Sequence, residues 1–157
     1  MSSANILGGK VVPCGGTDHE GWLQLRLGLW PDGSREEFLP EMAAACTAPD
    51  RFAQFLFLSE AGLPEGFIEV ALRRDYVNGT DSSPVAFLEG IYVRPESRNH
   101  GITRALVAAA EAWAKDVGCT EFASDAEVGN VASHAMHAAL GFAETERVVF
   151  FRKTVAP

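Results

Sequence analysis

The feature that most constrains this chain is a strand, a turn and a helix written one after another: PVAFLEGIYV, then RPESRNHG, then ITRALVAAAEAWAKDVG. The strand segment is mostly apolar, as expected when both faces of a strand are covered. The helix segment, about 101–117, spaces Ile102, Leu106, Ala109, Trp113 and Val117 by three or four residues, and Gly118 is its natural stop. Between them, Arg98-Asn99-His100-Gly101 has no apolar side chain to bury. A helix start leaves its first N–H groups unpaired and carries the positive end of the macrodipole. Such a turn is a candidate anion site, because Gly101 lets a phosphate approach the backbone and Arg98 and His100 add charge-assisted contacts. A plain strand-to-helix loop is the alternative. The turn is neither a P-loop nor a G-x-G-x-x-G fingerprint.

The remaining pattern completes a mixed sheet. Lys10-Val11-Val12 marks a short first strand. Thr17 or Asp18 can cap a helix to about Trp30, with Trp22, Leu25 and Leu29 on one stripe, and Ser34-x-x-Glu37 is a capping box opening a second helix to about Thr47. RFAQFLFLSE and GFIEVALRRD flank AGLPE as a hairpin. CTEFASD is a short strand, residues 130–140 a helix ended by Gly141, and RVVFFRKTV a last strand. The expected fold class is α/β (α+β), with a mixed central sheet flanked by helices in one domain, 1–157.

A net charge of −8 argues against nucleic acid and permits a cationic partner. No apolar run approaches a membrane span, and MSSANILGGK lacks a signal-peptide core. Cys14, Cys46 and Cys119 are widely spaced without C-x-x-C, which suits reduced thiols in a cytoplasmic protein.

The pattern Val93-x-Pro95-x-x-Arg98-x-x-Gly101-x-Thr103 resembles the coenzyme A pyrophosphate loop of GCN5-related N-acetyltransferases, with Thr103 in place of the usual Gly or Ala. A second block of that family follows: Asn130-x-x-Ser133, then Leu140-Gly141-Phe142, then the final segment. The runs RRDYVNGTDSSPVAFLEGIYV, ASD and HAALGFAETERVVFFRK, with Leu29-Trp30, are similar to bacterial aminoglycoside 6'-N-acetyltransferases over most of the chain.

The resemblance implies acetyl-CoA as co-substrate, with no metal. Its diphosphate is expected on Arg98, Asn99, His100, Gly101, Ile102 and Thr103, with Asn130 and Ser133 also in contact. The central strand is implied to splay near Gly90–Val93, so that the pantetheine arm pairs with Ile91 and Val93. A backbone N–H of Tyr92 or Ile91 would face the acetyl oxygen. Glu89 and Asp125 are implied to hold the substrate amine, with Glu89 accepting its proton. Trp30 and Tyr76 are implied to line the sugar site. Asp75 and Asp81 flank Tyr76, although loop aspartates are usually turn formers. His137 stands where many superfamily members carry Tyr, and is a candidate acid for the leaving thiolate. His134 and His137 are three residues apart, but no third metal ligand is evident.

Direct transfer in a ternary complex is the expectation, and the lack of a signalled nucleophile–base pair is consistent with it. The implied activity is acetylation of the 6'-amine of aminoglycosides, with antibiotic resistance as the consequence and a homodimer, sometimes exchanging the last strand, as the assembly. The same coenzyme machinery serves acetyltransferases of polyamines, peptides or small metabolites, and a non-catalytic coenzyme sensor is the further alternative.

Overall fold

The computed structural model describes residues 8–16 and 19–157. Contacts divide the chain into two compact units, Met1–Asp125 and Ala126–Pro157.

The first unit is built on a five-stranded sheet in the order β1-β2-β3-β4-β5: Lys10–Pro13, Phe52–Leu58, Pro64–Arg73, Val85–Val93 and Phe122–Ala123. The first four strands are antiparallel neighbours, and β5 runs parallel to β4. Helices α1 (Glu20–Leu29) and α2 (Arg35–Cys46) lie between β1 and β2 in sequence, and α3 (Ile102–Asp116) joins β4 to β5. This is the expected mixed sheet.

Strand alternation sends the helices to opposite faces. Phe67 and its cross-strand partner Tyr92 face α1, where the ring of Trp30 meets Phe67 edge-on. Gly66, one residue earlier, faces α3, and a Cβ there would touch Ile102. The α1 face holds a buried cluster of Trp22, Leu23, Leu25, Phe38, Met42, Leu56 and Phe67.

The α1 caps expected at Thr17 or Asp18 lie outside the described residues; the N-cap is His19, without a side-chain cap bond. Ser34 caps α2 as expected, accepting from the Glu37 amide at 3.2 Å, and its hydroxyl donates to the Glu37 carboxylate at 3.0 Å. On α3 the buried line runs through Ile102, Leu106, Ala110 and Ala114, so Ala109, Trp113 and Val117 are half-buried flanks rather than its centre. The alanines let the helix lie close to the sheet, and the larger Trp113 sits at the rim.

The second unit contains α4 (Val131–Ala139), ended at Gly141 with φ +94°. The segment RVVFFRKTV, expected as a last strand, forms none: residues 142–157 take neither helix nor strand, and Phe150 and Phe151 are 86% and 91% exposed. The composition favours a strand, but a strand exists only through its ladder, and β-branched and aromatic residues do not make one by themselves.

Candidate active site

The antiparallel register between β3 and β4 breaks once. Glu69 pairs with Gly90 and Val70 with Leu88, which leaves Glu89 as the extra residue of a β-bulge. A bulge re-aims the side chain it carries. Gly90 completes the arrangement, since a Cβ there would lie 2.8 Å from the Trp30 ring. Trp30, at the C-cap of α1, therefore rests directly on the β4 backbone, with Phe38 and Phe67 at its edges. This is the close approach that a glycine inside a strand signals.

A cavity of about 400 Å³ opens beside the bulge. Trp30 and Arg26 of α1 and Glu41, Ala44 and Ala45 of α2 form one side, and Phe52, Glu69 and Glu89 of the sheet form the other. Three carboxylates thus line one small space. Each has a cationic partner. The Arg26 guanidinium binds Glu69 with both ends of its fork, at 2.6 and 3.0 Å, and reaches Glu41 at 2.9 Å. It also lies 5.0 Å from the Trp30 ring centre and 4.8 Å from that of Phe38. Burial pulls the Arg26 pKa down, but its bonds to Glu69 and Glu41 outweigh this and hold it above the ordinary value. Trp22 Nε1 donates to Glu69 at 2.9 Å, which completes a buried network. Glu89 is held instead by Arg73, through three hydrogen bonds of 2.8 to 3.2 Å.

The parallel ladder between β4 and β5 has two pairs, Ala86↔Phe122 and Phe87↔Ala123. Beyond Phe87, the β4 edge carrying Ile91, Tyr92 and Val93 has no strand partner on that side among the described residues. An unpaired edge offers backbone donors and acceptors to an extended ligand. Asp125 follows β5 and is exposed.

After β4 the chain makes a 3₁₀ turn at Pro95–Ser97. Arg98 Nε donates to the Val93 carbonyl at 2.9 Å, which ties the turn to the end of the strand. Asn99 (φ 66°) and Gly101 (φ 85°) are both left-handed, and the His100 ring Nδ1 lies 3.3 Å from the Ser97 carbonyl. Gly101 is the N-cap of α3 and supplies no side-chain cap. The first helical bond runs from the Ala105 amide to the Gly101 carbonyl, so the amides of Ile102 and Thr103 precede it. All four residues from Arg98 to Gly101 are exposed. Backbone donors, a positive dipole end and no Cβ at Gly101 suit a diphosphate.

In the second unit, Asn130 caps α4 by accepting from the Ser133 amide at 3.1 Å. His137 Nδ1 lies 2.7 Å from the Ser133 carbonyl and 3.3 Å from its hydroxyl, and its ring meets Phe142 edge-on at 5.2 Å. A carbonyl only accepts, so Nδ1 carries a proton, and a neutral His137 presents Nε2 as an acceptor. It donates from Nε2 only as imidazolium. His134 Nε2 is bonded to the Glu127 carbonyl at 2.9 Å. Among the described residues no group of three or more His, Cys, Asp or Glu is placed to hold a metal.

The structure thus brings Glu89 and Trp30 to one cavity, whereas Tyr76, 76% exposed on the 74–84 loop, and Asp125 are not among its walls. Sequence reasoning missed Arg26, Glu41, Glu69 and Arg73. Glu69 carried the signal of Glu89, a lone acid in an apolar strand, and Arg26 follows Trp22 by one helical turn on the buried side of α1. Glu41 and Arg73 had no such signal.

The family model described as Acetyltransferase (GNAT) family matches residues 19–142. The chain is 50% identical to an aminoglycoside N(6')-acetyltransferase type 1 of Serratia marcescens over 92% of this chain and 99% of the relative. It is 52% identical to the enzyme of the same name from Stenotrophomonas maltophilia, over 89% and 90%. Among solved structures, the aminoglycoside antibiotic 6'-N-acetyltransferase AAC(6')-Ih from Acinetobacter baumannii superposes with a TM-score of 0.89 at 46% identity, over 95% of this chain and all of the other. AAC(6')-Iy, in complex with the bisubstrate analogue CoA-S-monomethyl-acetylneamine, gives 0.88 at 41% identity, over 94% and 99%.

Proposed function

Since the chain belongs to the acetyltransferase (GNAT) family, we propose that it moves the acetyl group of acetyl-CoA to the 6'-amine of aminoglycosides. The likeness to relatives with that activity, over nine-tenths of the chain, carries the reading. The acid-lined cavity beside an open strand edge supports it, because a polycationic amine is drawn to clustered carboxylates.

In the proposed mechanism, acetyl-CoA lies along the open β4 edge, paired with Ile91 and Val93. Its diphosphate sits on the turn from Arg98 to Thr103, and Asn130 and Ser133 add contacts. The Tyr92 or Ile91 amide polarises the acetyl carbonyl. Glu89 and Asp125 hold the amine, Trp30 and Tyr76 face the sugar, and Glu89 takes the proton that makes the nitrogen nucleophilic. Nitrogen attacks the carbonyl carbon, the adduct gives up its remaining extra amine proton to water as the C–S bond breaks, and the departing thiolate takes a proton from His137 in its imidazolium form. No acyl-enzyme forms.

The proposal extends to a single domain, and the family match, which runs across the boundary at residue 125, supports this. It also extends to a cytoplasmic setting, which three free cysteines suit, and to antibiotic resistance as the outcome. A homodimer is part of it: the exposed Val149, Phe150 and Phe151 form an apolar stretch suited to burial against a second copy. Light scattering on the purified protein reads the mass.

The activity is tested with acetyl-CoA and neamine or kanamycin, following free thiol and product mass. Thiol release with a monoacetylated product is expected. Release with spermidine or a peptide amine alone would move the chain to another acceptor, and none with any amine would end the reading.

A further inference from the structure

Every carboxylate in the cavity is already paired with an arginine of the chain, but the two arginines are held very differently. Arg26 is 7% exposed, bonded to Glu69 and Glu41 and flanked by two aromatic rings. It belongs to the fold. The Arg73 side chain is 43% exposed. Its ties are the Glu89 carboxylate and the ring of Phe87, whose centre lies 3.6 Å from the guanidinium carbon. Both oxygens of Glu89 accept from Arg73. The pair is half open to solvent, which screens it, so an incoming ammonium can compete with Arg73 for the carboxylate.

We propose that Arg73 is a resident counter-ion that occupies Glu89 in place of the substrate ammonium, and that it thereby sets the selectivity of the site for amines by their charge. The inference rests on the reading of Glu89 as a substrate contact. An incoming ammonium must share or take the carboxylate, and the guanidinium, stacked on Phe87, stays nearby as a like charge. Its repulsion acts on every ammonium group within about a Debye length, ~10 Å. The penalty therefore grows with the number of charges on the acceptor, and Arg73 weakens a tetra-amine more than a monoamine. The neutral acetyl group feels none of this.

Arg73→Gln removes the charge and keeps a polar chain able to lie on Phe87. Arg73→Lys keeps the charge and loses the fork. The probes are neamine, a tetra-amine, and methyl 6-amino-6-deoxyglucoside, a monoamine, each measured by calorimetry for Kd and by thiol release for KM. With Arg73→Gln, the Kd and KM of neamine fall roughly three- to tenfold, the scale of one like-charge contact across ~6 Å in mostly aqueous surroundings. Those of the monoamine fall less, and added salt narrows the gap. With Arg73→Lys, neamine stays near wild type. An unchanged or raised neamine Kd in Arg73→Gln, or an equal change for both amines, overturns the proposal. Wild-type protein that binds neamine without acetylating it removes the activity proposed above and leaves this inference to the Kd values. Protein that does not bind neamine at all sinks both.

Discussion

Glu89 and Asp125 each stand two residues beyond Phe87↔Ala123, the last rung of the parallel ladder between β4 and β5. One carboxylate therefore follows the ladder on each side of the opening, where an α/β sheet exposes ligand sites. Glu89→Gln keeps the size and polarity of the side chain but not its basicity. It should lower kcat/KM by roughly 10²-fold, the usual contribution of a positioned base, with acetyl-CoA affinity unchanged by calorimetry. Asp125→Asn should raise KM for the amine more than it lowers kcat. Undiminished kcat/KM in both variants would remove the two acids from the reaction.

Gly90→Ala places a methyl group 2.8 Å from the Trp30 ring and 3.1 Å from Leu29 Cδ2. Trp30 has little room to yield, because Phe38 and Phe67 meet its edges and Arg26 covers its face. Overpacking of this kind costs about 1–3 kcal/mol, read from the urea midpoint, and the amine KM should rise with it. Gly129→Ala is the control, since nothing lies within 4 Å of a Cβ there. A Gly90→Ala protein as stable and active as wild type would show that Trp30 does not depend on this contact.

Arg26→Leu leaves Glu69, 14% exposed at its side chain, without its cationic partner. Removing one member of a buried pair costs about 3–5 kcal/mol. The double change Arg26→Leu with Glu69→Leu should recover much of that loss, because no lone charge is then buried. Denaturation midpoints of the two variants measure both terms. A single variant no less stable than the double would contradict the network.

These residues show where sequence reasoning succeeds and where it stops. The elements from β1 to α4 were legible because apolar period, capping residues and glycine stops act within a few residues of one another. Glu89 was legible as an acid out of place in an apolar strand. Its partner was not: Gly90 marks a bulge or a close approach, but it does not say which residue of β3 then meets Glu89 across the shifted register. The last segment misled for the opposite reason: Val148, Val149, Phe150 and Phe151 favour a strand, yet only a ladder partner makes one. Likewise Asn130 and Ser133 stood out as a coenzyme block, and the structure adds that they form the cap of α4.

Gly101 adopts φ +85° at the mouth of α3. Alanine there adopts a left-handed backbone at about 1–2 kcal/mol, and it adds a Cβ at the turn where close approach of a diphosphate needs none. Coenzyme A should bind at least several-fold more weakly to Gly101→Ala, while Gly118→Ala, at another left-handed position (φ +87°), loses stability alone. Titration calorimetry separates the two. Equal coenzyme affinity in both variants would detach the turn from the diphosphate.

Glu121 is one of the groups that fasten the loop carrying Tyr76. The Ser82 hydroxyl and the Asp81 amide, the latter at 2.9 Å, donate to its carboxylate and hold its pKa below the ordinary 4.5, with the Ser82 bond the larger cause. A carboxyl whose folded pKa is depressed contributes stability that is complete above the unfolded value and is lost as pH falls through the folded one. The fastening should therefore be intact near neutral pH and be lost only in acid, below the ordinary carboxylate range. Hydrogen exchange reads it directly, since the Asp81 amide should be protected near neutral pH and lose that protection in acid. Glu121→Ala should abolish that protection at every pH and raise the amine KM if Tyr76 faces the sugar. Protection of Asp81 that survives in Glu121→Ala would mean that another group holds the loop.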